Sequence, residues 1–584
     1  MSYGKVLYID LTKRDFWTED RSELLRNRIG GTGVALELLK ENIDPKCDPL
    51  GPGNIIVFAV GLLTGYYPLA SKTVAMFKSP LTGNLGESHA GGRSAIAIRM
   101  AGYEAIVIKG VSDTPVYLVI TNDGVRFRDA STLWGIRSTI TVGRIIREVE
   151  GGTGIRSIIR IGRAGERLVR YACAVTETYR HFGRLGLGAV LGSKKLKAIV
   201  VYGKRNLPVN DVKLYRDVYD EIFKLAVETE LMKKYHDIGT AINVKVLYKI
   251  GALPIMNLTR TSFKEIDKIS GEYIAESRLG RRVACSHCPV ACIHLAILRE
   301  PYVDEPYFYK TTYVSYDYEP IYSIGAMLGV KDTDGLLRLL DLVETLGLDV
   351  ISTGVALSWA TEAYKRGVIT ERETVTKLDW GYVEGYMKAI NFIVEQPNQF
   401  YRDLSMGVEY AARKYGGLDY ALAFGGNEMP GYNTGPGTYL TYLTGARHSH
   451  LDSAGYSLDQ KLVGKTLPSP EELIDMLMKE EAWRQVLSSL VICFFARGIY
   501  SVERVSSALK ALGFNFTEKD LRNLGWEIYR EKYKLKIELG FNINELRIPR
   551  RIFEIENPHG RISKEYLDRA LKYFKKKVKS MISY

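Results

Sequence analysis

The chain has 584 residues, 46% of them hydrophobic and 25% charged, the make-up of a soluble globular protein with two to four large-cored domains. Its formal charge of +13 is spread thinly, and its most apolar early stretch, Asn54 to Leu69, is interrupted by Gly61, Gly65 and Pro68. Composition therefore speaks against a membrane span and against a dedicated nucleic-acid binder. Met1-Ser-Tyr-Gly-Lys runs straight into a strand-like segment, so no signal peptide is expected and a reduced, cytoplasmic location is. Sparse Asn, Gln and Cys beside abundant Arg, Glu, Tyr and Ile hint at a thermophile.

In chain order, short β-branched or apolar runs bounded by Gly, Asp or Pro predict strands at Val6–Asp10, Ile55–Val60, Thr73–Phe77, Ala105–Lys109, Val116–Thr121, Ile158–Ile161 and Ala198–Tyr202. Helices are expected between them at about Arg21–Leu39 and Ile140–Glu148. From Asp211 the period changes to three-to-four. It predicts helices at Val212–Thr229, Asp332–Leu346, Ser352–Lys365, Trp380–Glu395, Glu471–Leu487, Ser501–Leu512 and Lys564–Lys579. The fold class is thus α+β, a β-rich N-terminal domain (1–207) followed by two mainly helical ones (208–416 and 417–584). In the last helix Lys572, Lys575, Lys576, Lys577 and Lys579 alternate with Leu571, Tyr573, Phe574 and Val578, the pattern of a solvated amphipathic face.

Three of the six cysteines sit in one run, Cys285-Ser-His-Cys288-Pro-Val-Ala-Cys292, and Cys493 lies far downstream in Leu490-Val-Ile-Cys-Phe-Phe. Three local thiolates and one distant one is the usual way to hold a [4Fe–4S] cluster. Zinc is the rival, since sites of four cysteines, or of three cysteines and a histidine, use similar spacings and His287 lies within the loop. The order is the reverse of the radical S-adenosylmethionine motif. Cys47 and Cys173 are isolated and read as structural.

Several runs resemble the aldehyde ferredoxin oxidoreductase family of tungsten (sometimes molybdenum) bis-pterin enzymes. They are Gly4-Lys-Val-Leu-Tyr-Ile-Asp-Leu-Thr, Gly30-Gly-Thr-Gly-Val-Ala, Lys78-Ser-Pro-Leu-Thr-Gly83, Ala101-Gly-Tyr-Glu-Ala-Ile-Val-Ile-Lys-Gly110, Gly162-Arg-Ala-Gly-Glu166 and Gly183-Arg-Leu-Gly-Leu-Gly-Ala-Val-Leu-Gly-Ser-Lys194, in the family's order. The resemblance implies the family's fold, a [4Fe–4S] cluster on Cys285, Cys288, Cys292 and Cys493, and a tungsten or molybdenum bis-pterin with Mg2+ bridging the pterin phosphates. It implies pterin contacts from Gly91, Gly92 and Arg93, from Arg184, Leu185 and Gly186, and from Glu344, Gly347, Leu348 and Asp349. Departures occur where the family has a carboxylate (Glu344 is longer, Ser488 has none, and Ile492 precedes Cys493), an asparagine before Gly-Gly (His89 here) or an arginine (Lys72 here).

Ser315-Tyr-Asp-Tyr-Glu319 is similar to the family's P-E-Y-E run and makes Glu319 the counterpart of its glutamate near the metal. Arg447-His448-Ser449-His450-Leu451 resembles R-G-x-x-H-L with one residue missing, which leaves His448 and His450 both candidates, His450 slightly preferred. The implied reaction is oxidation of an aldehyde to a carboxylic acid, with ferredoxin as acceptor. Family members are often dimers, so a homodimer is among the expected states. A related tungstoenzyme with another substrate, and a non-catalytic cluster-bearing paralogue, are the alternatives.

Overall fold

The computed structural model describes residues 4–583 apart from 178 and 306, and the start of the expected leaderless N-terminus lies outside them. The first sheet contains β1 (Lys5–Asp10), β2 (Asp15–Asp20), β3 (Ile56–Ala59), β4 (Thr73–Lys78), β5 (Leu85–Ala90) and β6 (Ala105–Lys109), in the order β2-β1-β6-β3-β4-β5. Only β1 and β6 pair in parallel, with Val6 opposite Ala105. The second sheet contains β7 (Val116–Thr121), β8 (Gly124–Asp129), β9 (Ile155–Ile161), β10 (Ala174–Val175), β11 (His181–Phe182) and β12 (Leu196–Gly203), in the order β11-β10-β9-β12-β7-β8. Both faces of the first sheet are covered at β3 and β4, which is why Ile56–Ala59 and the Val74–Phe77 part of β4 read as unbroken apolar runs rather than alternating ones.

Helices dominate after residue 211, as the change of period predicts, and several begin with a side-chain cap: Asp211, Asp332, Ser469, Ser501, Thr517 and Ser563 each accept a bond from the first turn. The strands β2, β5, β8, β10 and β11 are not expected from the sequence, and two further features differ from that reading. The expected helix at Arg21–Leu39 is two helices, Ser22–Arg28 and Gly31–Asn42, because Ile29 (φ 56°) and Gly30 (φ 106°) are left-handed. The helical part also holds a three-stranded sheet of β13 (Leu279–Val283), β14 (Ile293–Pro301) and β15 (Tyr309–Tyr316).

That small sheet carries the cysteine run, which is the connection between β13 and β14. The helix Pro470–Ser489 ends just before Cys493 and packs on Gly31–Asn42 of the N-terminal part. One apolar core consequently joins Val6, Val57 and Val107 of the first sheet to Val486, Leu490, Ile528 and Leu539. Early, middle and late segments are brought together at the place where the thiols lie. No helix among the described residues is long and apolar enough to cross a membrane.

Candidate redox cofactor site

Backbone bonds fasten both the cysteine loop and the Cys493 segment to the N-terminal part of the chain. Ser286 N–H donates to Gly92 O (2.9 Å), Leu69 N–H to His287 O (3.0 Å), Cys493 N–H to Leu69 O (2.9 Å) and Lys72 N–H to Val491 O (3.1 Å). All four cysteines are free and half-buried. Burial, with each thiol surrounded by the other three, raises the Cys288 thiol far above its usual range; burial and Cys493 push Cys292 up to about 12. Surroundings that resist the Cys288 and Cys292 thiolates this strongly need a cationic guest to hold them ionised. No three His, Cys, Asp or Glu side chains among the described residues stand close enough to grip a single ion. A cluster is gripped at four separate iron corners, and the donor set suits it. His287 is solvent-exposed, on the outside of the loop.

Gly91 shows how tightly the thiols are enclosed. A Cβ there would lie 2.7 Å from Cys285 Sγ and 3.4 Å from Lys72 Nζ, so only glycine lets the chain pass after β5. Burial would lower Lys72, but Cys493, Cys285 and Cys292 outweigh it and leave the ammonium raised. Arg180 likewise loses to burial and gains more from Asp317, Cys285 and Cys292.

Beside the thiols opens a cavity of about 550 Å³. Of the residues expected at a cofactor, His89, Arg184, Leu185, Glu344, Leu348, Asp349, Glu319 and His450 line it. Arg184 is anchored by Asp349 Oδ2 (3.1 Å from Nε) and by Glu428 O (2.8 Å from Nη2), yet its buried Nη1 has no partner. Asp349 caps the helix Val350–Lys365 through Ile351 N–H. Glu344 would be raised by burial, but His181, 2.8 Å away, and Arg160 hold it below its usual value. His89 is bound to Glu87 (2.6 Å), itself paired with buried Lys532.

Glu319 leads directly into a π-helical stretch, Ile321–Ala326, a feature that recurs at functional sites. Its Oε2 accepts from Gly431 N–H (3.1 Å), a contact possible because Gly431 is squeezed between Tyr318 and Tyr322, where a Cβ would come within 2.7 Å of a ring carbon. Among the described residues Oε1 has no hydrogen-bond partner, and it lies 3.5 Å from His450 Nε2. Burial raises Glu319 to about 8, against the pull of the Gly431 bond. Burial, helped by Arg184, lowers His450 to about 3, so the ring is neutral at ordinary pH, and its Nδ1 is buried without a partner. Tyr432 and Tyr456 flank the imidazole, with ring centroids 5.2 and 5.8 Å away.

The other expected residues lie elsewhere. His448 is absent from the cavity wall: Nδ1 faces Tyr442 O (2.8 Å) and Nε2 faces Lys536 Nζ (2.8 Å), a lysine that burial lowers to about 7. Its own direction of approach is set by a left-handed turn (φ 52°), which sends the two histidines to different places. Arg93 is exposed at the start of the helix Ser94–Met100. Ser488 and Ile492 are buried around the turn that delivers Cys493, with Ile492 N–H bonded to Leu487 O (2.9 Å). Gly186 and Gly347, both left-handed, shape the turns carrying Leu185 and Leu348; Lys72, Gly91 and Gly92 belong to the thiol side. Cavity residues not singled out by the sequence include Arg180, Tyr432 and Arg497. Cys173, expected to be structural, also lines the cavity, and its thiol bonds Leu348 O (3.5 Å) in the wall itself.

Four thiols beside a large cavity with buried, unpartnered Arg184, Glu319 and His450 atoms define a metal-cofactor redox protein. The family description "Aldehyde ferredoxin oxidoreductase, N-terminal domain" matches residues 6–203, and "Aldehyde ferredoxin oxidoreductase, domains 2 & 3" matches 217–580. The chain belongs to the aldehyde ferredoxin oxidoreductase family. Tungsten-containing aldehyde ferredoxin oxidoreductases of Pyrococcus furiosus and Thermococcus kodakarensis are each 30% identical, covering 96% of this chain and 93% of theirs. The aliphatic sulfonate oxidoreductase WOR-like subunit of Pyrococcus furiosus is 32% identical over 419 residues, 67% of this chain and 64% of its own. Among solved structures, the active-site complex BamBC of benzoyl coenzyme A reductase with 1,5-dienoyl-CoA shares the fold (TM-score 0.83, 21% identity, 98% and 94% covered). The chain is therefore a tungsten-type oxidoreductase of a family whose members carry a tungsten or molybdenum bis-pterin and a [4Fe–4S] cluster.

Proposed function

We propose that the protein oxidises an aldehyde and water to a carboxylic acid, releasing two protons and two electrons, and that the electrons leave singly to ferredoxin. The observation that carries this reading is the free edge of Glu319 facing His450 across 3.5 Å at the wall of the cavity. Arg184, with its open Nη1, and Leu348, Asp349 and His89 around it are the residues that would hold the bis-pterin, and Cys285, Cys288, Cys292 and Cys493 the cluster. Bound there, these groups would supply the two-electron redox change and its division into single electrons.

The protein's own part is position and proton transfer. Neutral His450 can donate one ring N–H to the aldehyde oxygen and so make the carbonyl carbon electrophilic. Glu319, fixed at Oε2, has Oε1 open to take a proton from water or substrate, and a carboxyl raised to about 8 is suited to that work near neutrality. As a base it must be ionised, so kcat/KM should rise as pH increases through about 8. Glu319→Gln should keep tungsten and iron, lose that limb and reduce turnover by about two to four orders of magnitude. Near-wild-type turnover at full metal loading would show that other residues do the chemistry.

A second substrate class is supported by Arg184, Arg447 and Arg497 in the cavity wall and by the relative named an aliphatic sulfonate oxidoreductase. An anionic aldehyde bearing a sulfonate belongs in the substrate panel beside neutral aliphatic and aromatic aldehydes.

A further inference from the structure

Between the thiols and the cavity stand two cations, Lys72 and Arg180, that take no part in the proton transfer outlined above. Seen from Gly91, a Cβ would meet Cys285 Sγ at 2.7 Å, Lys72 Nζ at 3.4 Å and Arg180 Cδ at 3.5 Å, so a thiol, an ammonium and a guanidinium stem surround one point. Lys72 is delivered there by its backbone bond to Val491, two residues before Cys493. Arg180 is delivered by a tight turn: its carbonyl accepts Thr176 N–H (2.7 Å), and its Nε donates to Tyr179 O (2.9 Å). Thr176 Oγ1 also reaches Gly91 O (3.4 Å), which ties this turn to the end of β5.

Neither cation is neutralised in the ordinary way. Among the described residues Lys72 forms no ion pair with a carboxylate, and Arg180 has only Asp317, whose Oδ2 is 3.9 Å from Nη1. A partly buried cation without a close anion is costly, so two of them side by side call for an anion in the space they enclose. The thiols are on that side. A cluster held by four thiolates is anionic and becomes one charge more negative with every electron it accepts, and nearby charge is one of the factors that set its potential. Arg180 differs from Lys72 in one respect: it also forms part of the cavity wall, beside Asp317, which stands two residues before Glu319 in the chain.

We propose that Lys72 and Arg180 set the reduction potential of the cluster by stabilising its reduced state, with Arg180 doing so from the wall of the substrate cavity. Both act through charge on the cluster rather than on substrate, as positioning residues. The proposal rests on ligation of a [4Fe–4S] cluster by the four cysteines. It predicts that removing either charge favours the oxidised cluster, whereas moving the charge slightly changes little.

The test is an EPR-monitored redox titration of the anaerobic holoenzyme and of Lys72→Gln, Arg180→Gln and Arg180→Lys, with iron counted in each. Each glutamine variant should retain its iron and shift the reduced-to-oxidised ratio at fixed potential about tenfold towards oxidised, a midpoint about 59 mV more negative for one electron. Arg180→Lys should titrate close to the wild type. An unchanged midpoint in either glutamine variant at full iron, or an equal shift in Arg180→Lys, overturns the proposal. Loss of iron from either glutamine variant also overturns it, since the cation would then be structural. A wild-type protein without iron would instead remove the cluster reading on which the proposal stands.

Discussion

The smallest changes with the largest expected effects are single atoms near the thiols. At Gly91 an added methyl must displace Cys285 Sγ from 2.7 Å, and a thiol turned away cannot remain a ligand. Gly91→Ala should therefore lower iron content well below that of the wild type and destabilise the apoprotein by about 1–3 kcal/mol, the usual range for overpacking. Iron analysis and thermal unfolding check it; full iron with an unchanged spectrum would mean that Cys285 is not a ligand. Residues of this kind are legible in the sequence where chemistry is local. The spacing of the three cysteines marks a candidate metal site, cluster or zinc, and Glu319 is picked out by the likeness of its run to the family's P-E-Y-E. His448 and His450 are not separable there, because a one-residue gap moves the alignment while the decision is made by a left-handed turn and by Lys536, which lies 88 residues away along the chain.

At the scale of elements, the fourth thiol depends on a helix end. Pro470–Ser489 packs on Gly31–Asn42, and the turn after it presents Cys493 at the cap of the short helix Phe494–Ala496. Cys493→Ser should leave this packing intact and give a labile or three-iron cluster, visible in the EPR spectrum. An intact four-iron cluster in that variant would refute the assignment. Strands whose β-branched runs are bounded by Gly or Pro are readable, as are helices with a clear three-to-four period. The strand β14 is not, since a short apolar run such as Ile293-His-Leu-Ala-Ile-Leu fits a buried helix or a buried strand equally well. The break at Ile29–Gly30 is hidden for a related reason: apolar periodicity continues across it while the backbone does not.

At the scale of the whole molecule, the site is an assembly of distant segments. The cavity wall draws on residues 87–89, 173–185, 231–243, 315–320, 340–351, 427–460 and 495–497, and the thiol side adds Leu69, Lys72 and Gly92. Such convergence cannot be read from periodicity, which reports only which face of an element is buried. It explains why Arg180 and Tyr432 carry no signal in the sequence although they face the cavity. It also explains the shared core between the first sheet and the last helices, which fixes Cys493 relative to Leu69 and Lys72. The central claim is that this architecture holds a tungsten bis-pterin beside a cluster on four cysteines. Elemental analysis of anaerobically purified protein tests it most directly: the account predicts about four irons and about one tungsten or molybdenum per chain. Stoichiometric zinc with neither iron nor tungsten or molybdenum would contradict it.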